Sequence, residues 1–450
     1  MTALGLGLGL PFGGRTSNPL VSLGAVFAID ARNSVAGEQT AVNFGSGGSA
    51  LNARYGSTVG VDTNDPLFLP HTGTNYLYAP ENGGSCSVPD ASNLDITGDI
   101  DCRFRVETNS ATNGRVITKG YASVYCFGFT FEGLWTEFNS GGTFYPAGQL
   151  HGMPVGSRGW FRITRVASTG VVSYYKANDS TTVPTSWTFL GSVVSTIGNL
   201  ATNASVLNIA GGPGGAEAID ANLYHVQLRD GIDGTVVFEA DFTKTTESSQ
   251  SSFVCTTGQT VTLTRATTGR KMVLVVRPLW LFGTDDTFLH SAANTVNFGL
   301  NPYTLVIIFR SWNPETIYQT YIGTRSVGLS PAGVELSMHW DGSRRSNLTQ
   351  SSTTVHDVLS TATNTAGSLV VMAGGRNASH IFASLNNSRN TGTPVGWDTS
   401  SDNVLNRFYI GGRYAGTDSR VDAEIFAAAY FNKALTTGEI AQIVSYYGAA

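Results

Sequence analysis

Alternating apolar and polar residues predict β-strands along most of the chain. From Ile100 to Glu107, apolar residues alternate with Asp, Arg and Glu, and Tyr224 to Arg229 alternates in the same way. Such alternation places one face of a strand on a core and the other in solvent. The apolar run Leu305 to Phe309 suits a central strand instead. Clusters of Gly, Asn, Asp, Ser and Thr separate these runs, so the pattern predicts a β-sandwich with many short turns.

One segment near the C-terminus departs from this pattern and is predicted to be a helix. Thr436 and Glu439 have the spacing of a capping box, and Ile440, Ile443 and Val444 follow at helical spacing. We therefore expect an all-β protein with one convincing helix.

Residues 1–17 form a segment of a third kind, in which leucine alternates with glycine. A period of two places the leucines on one face of an extended strand and bare backbone on the other. The segment is either a disordered tail or an arm that docks by adding a strand to another sheet, and the regular spacing favours docking. The docking residues are predicted to be Leu4, Leu6, Leu8, Leu10 and Phe12.

An internal repeat indicates that the chain contains two copies of one domain. Two separate patches recur at an offset of 202 residues (295 − 93 and 422 − 220), and an earlier patch recurs at an offset of 211 (237 − 26). The paired patches are Asn93–Ile96 with Thr295–Phe298, Asp220–Leu223 with Asp422–Ile425, and Val26–Asp30 with Val237–Asp241. A period near 200 residues is too long for a solenoid or a propeller. We predict an arm at 1–17, one domain at 18–234 and a second at 235–450, with the boundary between 232 and 246.

Composition narrows the classes of function. The chain has 450 residues, of which 41% are hydrophobic and only 13% charged, with 53 Gly and a net charge of −5. The absence of basic runs argues against a nucleic-acid partner, and the absence of a long apolar stretch argues against a membrane span. The isolated histidines do not have zinc-site spacing. The four cysteines are predicted to be small buried residues: Cys86, Cys102, Cys126 and Cys255.

The order of these motifs resembles the concanavalin A-like, laminin-G-like jelly-roll family. The resemblance rests on the opening strand at Val26, the strand Trp160–Arg165, the closing Asp220–Leu223, and the ending from Ala423 to Ile440. It implies an all-β fold of two tandem concanavalin A-like, laminin-G-like β-sandwiches that follow an extended N-terminal arm. The motifs involved are structural rather than catalytic.

A narrower resemblance concerns virion proteins. Val172–Asp179 and Ser186–Gly191 are similar to a repeat in virion proteins of tailed phages that infect actinobacteria, and Leu228–Val236 and the Leu-Gly arm are also similar to those proteins. This implies a non-enzymatic structural protein located in the virion, as a minor tail or tail-tip component. Its expected partners are other virion proteins, further copies of itself and host-surface carbohydrate. Two alternatives stay open: a capsid decoration or head-fibre protein, and a free carbohydrate-binding module.

Hydrolytic activity is not expected. Retaining glycosidases need two carboxyl groups about 5–5.5 Å apart, which relatives in this superfamily supply from a Glu-x-Asp-x-x-Glu strand. The only Glu-x-Asp here is Glu239–Asp241, and the third acid is missing.

Sugar binding needs an aromatic plate beside polar groups, and three tryptophans have such neighbours. The candidates are Trp135 with Glu137 and Asn139, Trp340 with Asp341, Arg344 and Arg345, and Trp397 with Asp398. Trp160 and Trp187 lie within strand patterns and are assigned to the core. Asp285 and Asp286 could contribute to a calcium site, although calcium prefers more oxygen ligands than this pair offers. No other cofactor is expected.

Overall fold

A computed structural model describes most of the chain, in segments separated by gaps. The described residues are 17–35, 40–55, 66–109, 114–120, 127–130, 134, 136–140, 143–147, 152–194, 198–215, 217–267, 269–282, 289–291, 301–312, 319–324, 333–338, 345–351, 355–392, 408–412 and 421–449. The predicted arm residues therefore lie outside the described residues.

The chain divides into two compact units. One unit is discontinuous and comprises 1–65 with 287–450, whereas the other is continuous and comprises 66–286. The discontinuous unit begins with a short helix, α1 (Pro19–Ser22), and three strands: β1 (Phe27–Asp30), β2 (Thr40–Ala41) and β3 (Ala53–Tyr55).

Among its described residues, the continuous unit contains 18 consecutive strands. They are β4 (Leu67–Leu69), β5 (Tyr76–Ala79), β6 (Gly84–Val88), β7 (Ile100–Thr108), β8 (Arg115–Lys119), β9 (Phe127–Thr130), β10 (Thr136–Ser140), β11 (Thr143–Ala147), β12 (Arg158–Arg165), β13 (Val171–Asn178), β14 (Thr188–Val194), β15 (Leu207–Ile209), β16 (Ala221–Asp230), β17 (Thr235–Asp241), β18 (Ser252–Val254), β19 (Thr260–Arg265), β20 (Val273–Val275) and β21 (Leu279–Phe282).

The remaining strands and the longer helix complete the discontinuous unit. They are β22 (Leu289–Ser291), β23 (Tyr303–Ser311), β24 (Gln319–Gly323), β25 (Gly333–Met338), β26 (Arg345–Ser351), β27 (Val355–Thr363), β28 (Leu369–Arg376), β29 (Ile381–Leu385), β30 (Ser388–Gly392), β31 (Tyr409–Ile410), β32 (Ala423–Phe431) and α2 (Thr437–Tyr447).

Two antiparallel sheets form the sandwich of the continuous unit. Its front sheet has the order β14-β13-β12-β7-β16-β5-β20, with β17 also paired to β16, and its back sheet has the order β11-β10-β9-β8-β15-β6-β19-β18. The inward residues of both sheets form one apolar core that includes Phe104, Phe161 and Val226 from the front and Ile117 and Phe138 from the back. Alternation along the strands thus produces the core that the sequence pattern predicts.

The discontinuous unit repeats this plan. Its front sheet has the order β30-β29-β28-β23-β32, with β1 paired to β32, and its back sheet has the order β2-β3-β22-β31-β24-β25-β26-β27. A Cβ added at Gly374 of β28 would lie 2.7 Å from Leu336 Cδ1 of β25, so the two sheets approach closely here and a larger residue would require this leucine side chain to shift. The predicted all-β class and the two β-sandwiches are confirmed.

The domain limits differ from the predicted 18–234 and 235–450, because the first strands of the two copies are exchanged. β1 of the first copy pairs with β32 at the end of the second copy, while β17, the equivalent strand of the second copy, pairs with β16. Phe27 lies opposite Tyr430 and Phe238 lies opposite Leu228, which reproduces the offsets of 211 (238 − 27) and 202 (430 − 228). The repeat is therefore confirmed, and its division into domains is corrected.

The C-terminal helix forms as predicted. Thr436 Oγ1 accepts a hydrogen bond from the backbone of Glu439, the Glu439 carboxylate accepts one from the backbone of Thr436, and Gly448 ends the helix with a φ of 73°. Ile440, Ile443, Val444 and Tyr447 form its buried face. Since α2 contacts β28, this face packs on the outer side of the front sheet.

The described cysteines are buried, as the composition predicts. Cys86, Cys102 and Cys255 are free and buried, and burial raises the pKa of the Cys86 and Cys102 thiols, whereas Cys126 lies outside the described residues. Across the residues that the structure describes, no helix is long and apolar enough to cross a membrane.

Candidate functional site

The outer face of the front sheet in the continuous unit carries a network of buried charges. Asp101 of β7 is fully buried and accepts paired hydrogen bonds from Arg103 (2.7 and 3.2 Å) and from Arg162 of β12 (2.8 and 3.0 Å). The backbone amide of Asp233 donates a third contact at 3.1 Å, and the Asp233 carboxylate pairs with both arginines. This face is therefore not solvated as alternation alone predicts, and its charges are buried in matched pairs.

A second set of ion pairs holds the loop 179–187 against the same face. The Asp179 carboxylate accepts hydrogen bonds from Arg105 (2.6 and 3.1 Å) and from Arg158 (2.9 Å). Burial alone would raise the pKa of Asp179, but the contacts with Arg105 and Arg158 lower it below its ordinary value. Trp160 Nε1 donates to the backbone carbonyl of Ser180 at 2.8 Å. The loop is thus fixed at its start by one carboxylate and one indole.

Trp187 ends this loop, immediately before β14. Its ring is half-buried, not in the core as predicted, whereas Trp160 is fully buried. The guanidinium groups of Arg103 and Arg162 each lie 5.9 Å from the Trp187 ring centre. These cations support one part of the indole and leave another part accessible.

Beside Trp187 lies an open hollow of about 750 Å³. Its lining includes Met153, Arg158, Lys176, Asp179, Pro184 and Trp187. Among the described residues, Lys176 forms no ion pair, while Arg158 and Asp179 pair with each other. The hollow therefore combines an aromatic ring, several apolar side chains and several polar groups, and among the described residues the Lys176 ammonium group has no ion-pair partner.

The Glu-x-Asp motif occupies a different place on this face. Glu239 and Asp241 of β17 both point towards His225 of β16, at 3.1 Å from Nε2 and 3.8 Å from Nδ1. The hydrogen bond from His225 lowers the pKa of Glu239 to about 2, in spite of partial burial. Glu239 is therefore ionised near neutral pH and is unsuited to act as a general acid.

Most of the site residues predicted from the sequence lie outside the described residues. Glu137 of β10 forms an ion pair with Arg115 of β8, and Asn139 also lies in β10, although its side chain is not described. The predicted residues outside the described segments are Leu4, Leu6, Leu8, Leu10, Phe12, Trp135, Asp285, Asp286, Trp340, Asp341, Arg344, Trp397 and Asp398. Within the described chain, no cluster of three or more His, Cys, Asp or Glu could hold a metal ion.

The residues that sequence reasoning missed are those around Trp187. A signal was present, because Pro184 and a run of Ser and Thr precede this tryptophan and mark a loop rather than a strand.

Comparisons with known proteins find no sequence relative and only low-scoring structural likenesses. No protein-family model matches the chain, and no curated protein sequence matches it either. Among solved structures, domains LG4-5 of the mouse laminin alpha1 chain are similar over 85% of this chain and 95% of that one, with 10% identity and a TM-score of 0.32.

Two carbohydrate-binding modules cover smaller parts of the chain. The CBM40 of the Ruminococcus gnavus IT-sialidase, bound to alpha2,3 sialyllactose, covers 32% of this chain and 84% of its own, with 13% identity and a TM-score of 0.29. Domain 4 of AbnA, an arabinanase from Geobacillus stearothermophilus, in complex with arabinotriose, covers 38% and 77%, with 16% identity and a TM-score of 0.31. Likenesses at this level assign no function. The fold and the hollow define the class as a two-unit β-sandwich protein with an aromatic-lined surface site.

Proposed function

We propose that the protein is a non-catalytic carbohydrate-binding protein and that the hollow beside Trp187 is its sugar site. The observation that carries the proposal is the half-buried Trp187 ring at the wall of a polar hollow. A sugar ring has an apolar face that can stack on an indole, and its hydroxyl groups can exchange hydrogen bonds with surrounding polar groups. Binding sites for small molecules combine these two kinds of surface.

Preorganisation supports this assignment. Asp179 is held by two arginines, Trp160 bonds to Ser180, and Arg103 and Arg162 support the Trp187 ring. Because these contacts are made within the protein itself, little additional ordering is needed when a sugar binds.

The test is a glycan array and a cell-wall pull-down with the Trp187→Ala variant. We expect its affinity for the bound glycan to fall at least tenfold, since stacking and apolar contact are lost together. The matched control is Phe189→Ala, which removes an exposed aromatic ring two positions away that does not line the hollow. Equal binding by wild type and Trp187→Ala, or equal loss in both variants, would contradict the proposed site.

We further propose that this binding serves a phage virion, in which the protein is a minor tail or tail-tip component. The support is the resemblance of Val172–Asp179 and Ser186–Gly191 to virion repeats, because residues 176–179 and 186–188 also line the hollow. In this role, the Leu-Gly arm contacts other virion proteins and the hollow faces host-surface carbohydrate.

Antibody labelling of purified particles in the electron microscope tests the location. Label at the tail supports the proposal, label on the capsid favours a decoration or head-fibre protein, and unlabelled particles favour a free carbohydrate-binding module.

A further inference from the structure

β14 is a seven-residue sheet edge that is interrupted by one bulge, at Leu190. It ends the front sheet of the continuous unit and, within the described chain, pairs on one side only, with β13. Its seven residues, Thr-Phe-Leu-Gly-Ser-Val-Val, include neither a charge nor a proline. Natural edge strands are blunted by brevity, charge or proline because an open edge invites another strand.

The other sheet ends that the structure describes have such protection. β11 contains Pro146, β30 contains Arg389, and β27 contains His356 and Asp357, while β2, β18 and β20 have no more than three residues each. A bulge also protects an edge, and β14 has one at Leu190; among these ends, β14 is nevertheless the long strand that has neither a charge nor a proline.

Apolar side chains are accessible on both faces of β14. Phe189 and Val194 are 58% and 67% exposed on the outer side, whereas Leu190 and Val193 pack on the rim of the core and are only partly buried. A strand added here would gain backbone hydrogen bonds and would also cover apolar surface, which is the usual basis of strand addition.

The Leu-Gly segment has the properties that this edge requires. Residues 4–10 are seven in number and uncharged, with leucine on every second position. Its leucines can extend the core beside Leu190 and Val193, and its glycine face leaves room for the ring of Phe189. Neither strand carries a charge, so pairing them leaves no buried charge unpaired.

We infer that β14 accepts residues 4–10 of a second copy of this chain as an added strand. The residues that follow the segment, Pro19–Asp30, belong to the discontinuous unit, while β14 belongs to the continuous unit. Donor and acceptor are therefore different surfaces, and the contact is heterologous, so it can join copies into a ring or a row. This inference is independent of the proposed sugar site.

Sedimentation velocity over a range of protein concentrations tests the inference. We expect the full chain to associate, and both deletion of residues 2–14 and the double variant Phe189→Lys with Val194→Lys to sediment as monomers. The matched control is Val254→Lys on β18, where the side chain is 69% exposed, and it should associate like wild type. Both substituted sites are exposed, so folding is retained, and circular dichroism verifies it.

A labelled peptide of residues 2–15 provides a direct measurement. Fluorescence anisotropy should show that the peptide binds the protein from which residues 2–14 are deleted, and that it binds the Phe189→Lys, Val194→Lys variant of that protein at least tenfold more weakly. A peptide of the same composition in which the leucines are consecutive should not bind. A monomeric full chain would overturn the inference, because any donor strand would then be intramolecular. Association that survives the deletion, or peptide binding that is indifferent to the two lysines, would overturn it equally.

Discussion

The two units differ most on the outer face of the front sheet, where the same backbone positions carry opposite chemistry. In the continuous unit, Arg103 lies opposite Arg162, whereas at the equivalent positions of the discontinuous unit Val306 lies opposite Ala373. The charged face is covered by the loop 179–187, and the apolar face by α2. A duplicated fold thus allows one copy to be closed by a helix while the other develops a polar surface beside an open hollow.

The energetic basis of the two faces differs as well. The contact between α2 and the small apolar residues beneath it is stabilised by removal of apolar surface from water. Such a contact tolerates substitution by other apolar residues of similar volume. Buried arginines require partners with matched geometry, since a buried charge without a partner is costly. At the positions compared here, the continuous unit therefore depends on particular carboxylates and the discontinuous unit on apolar area, although Arg310 and Glu424 form a buried ion pair elsewhere on the same front sheet of the discontinuous unit.

The largest effect is expected from placing a charge beneath the helix. Ile443→Asp puts a carboxylate in the buried interface of α2 and should lower the free energy of unfolding by about 4–5 kcal/mol. Urea denaturation measures the change, with Gln442→Asp, at the exposed neighbouring position, as the control. Similar losses in the two variants would show that α2 does not cover an apolar face.

A smaller loss is expected from the charged face. Asp101→Asn leaves two buried arginines with the Asp233 carboxylate alone, and should cost about 3 kcal/mol. The control is Asp233→Asn, whose side chain is 66% exposed, and here a cost below about 1 kcal/mol is expected. If the two variants were equally stable in urea denaturation, the network would not depend on its buried carboxylate.

Much of this arrangement follows from residue patterns, and the remainder depends on long-range contacts. Alternation predicted β7 and β16, the capping box predicted α2, and the repeat offsets anticipated the strand register at Phe27 and Phe238. The sequence does not predict that the first strands of the two copies are exchanged. β16 and β32 are equivalent strands with the same pairing register, so either β1 or β17 could pair with either of them. The sequence equally left open whether residues 236–242 close the first sheet or open the second, and β17 closes the first.

The candidate site shows the same limit. The strand pattern around Trp187 predicts a core position, but the ring instead lies beside Arg103 and Arg162, at the end of a loop that Asp179 anchors to Arg105 and Arg158. These arginines are distant from Trp187 in sequence. Ion pairs of this kind leave no periodic signal. Local sequence patterns therefore predict the strands, whereas the arrangement of side chains around Trp187 becomes visible only in the structure.

The smallest expected effect is a pH dependence confined to the continuous unit. Glu239 has its pKa lowered from 4.5 to about 2 by His225, and the equivalent position in the discontinuous unit is Ala28, which cannot titrate. A lowered pKa means that the unfolded chain binds a proton at higher pH than the folded chain does. The stability that Glu239 contributes is therefore present above pH 4.5 and is lost as the pH falls towards 2.

Solvent screening reduces this contribution to about 1 kcal/mol. Glu239→Gln should consequently lower stability at pH 7 by that amount and leave stability unchanged near pH 2. Thermal unfolding of wild type and variant between pH 2 and 7 measures the difference, which should shrink as the pH falls. If the stability difference between wild type and Glu239→Gln had the same size at every pH, it would come from the hydrogen bonds of Glu239 with Gln227 and His225 rather than from the charge of Glu239. The pH dependence of stability would then not distinguish the two units.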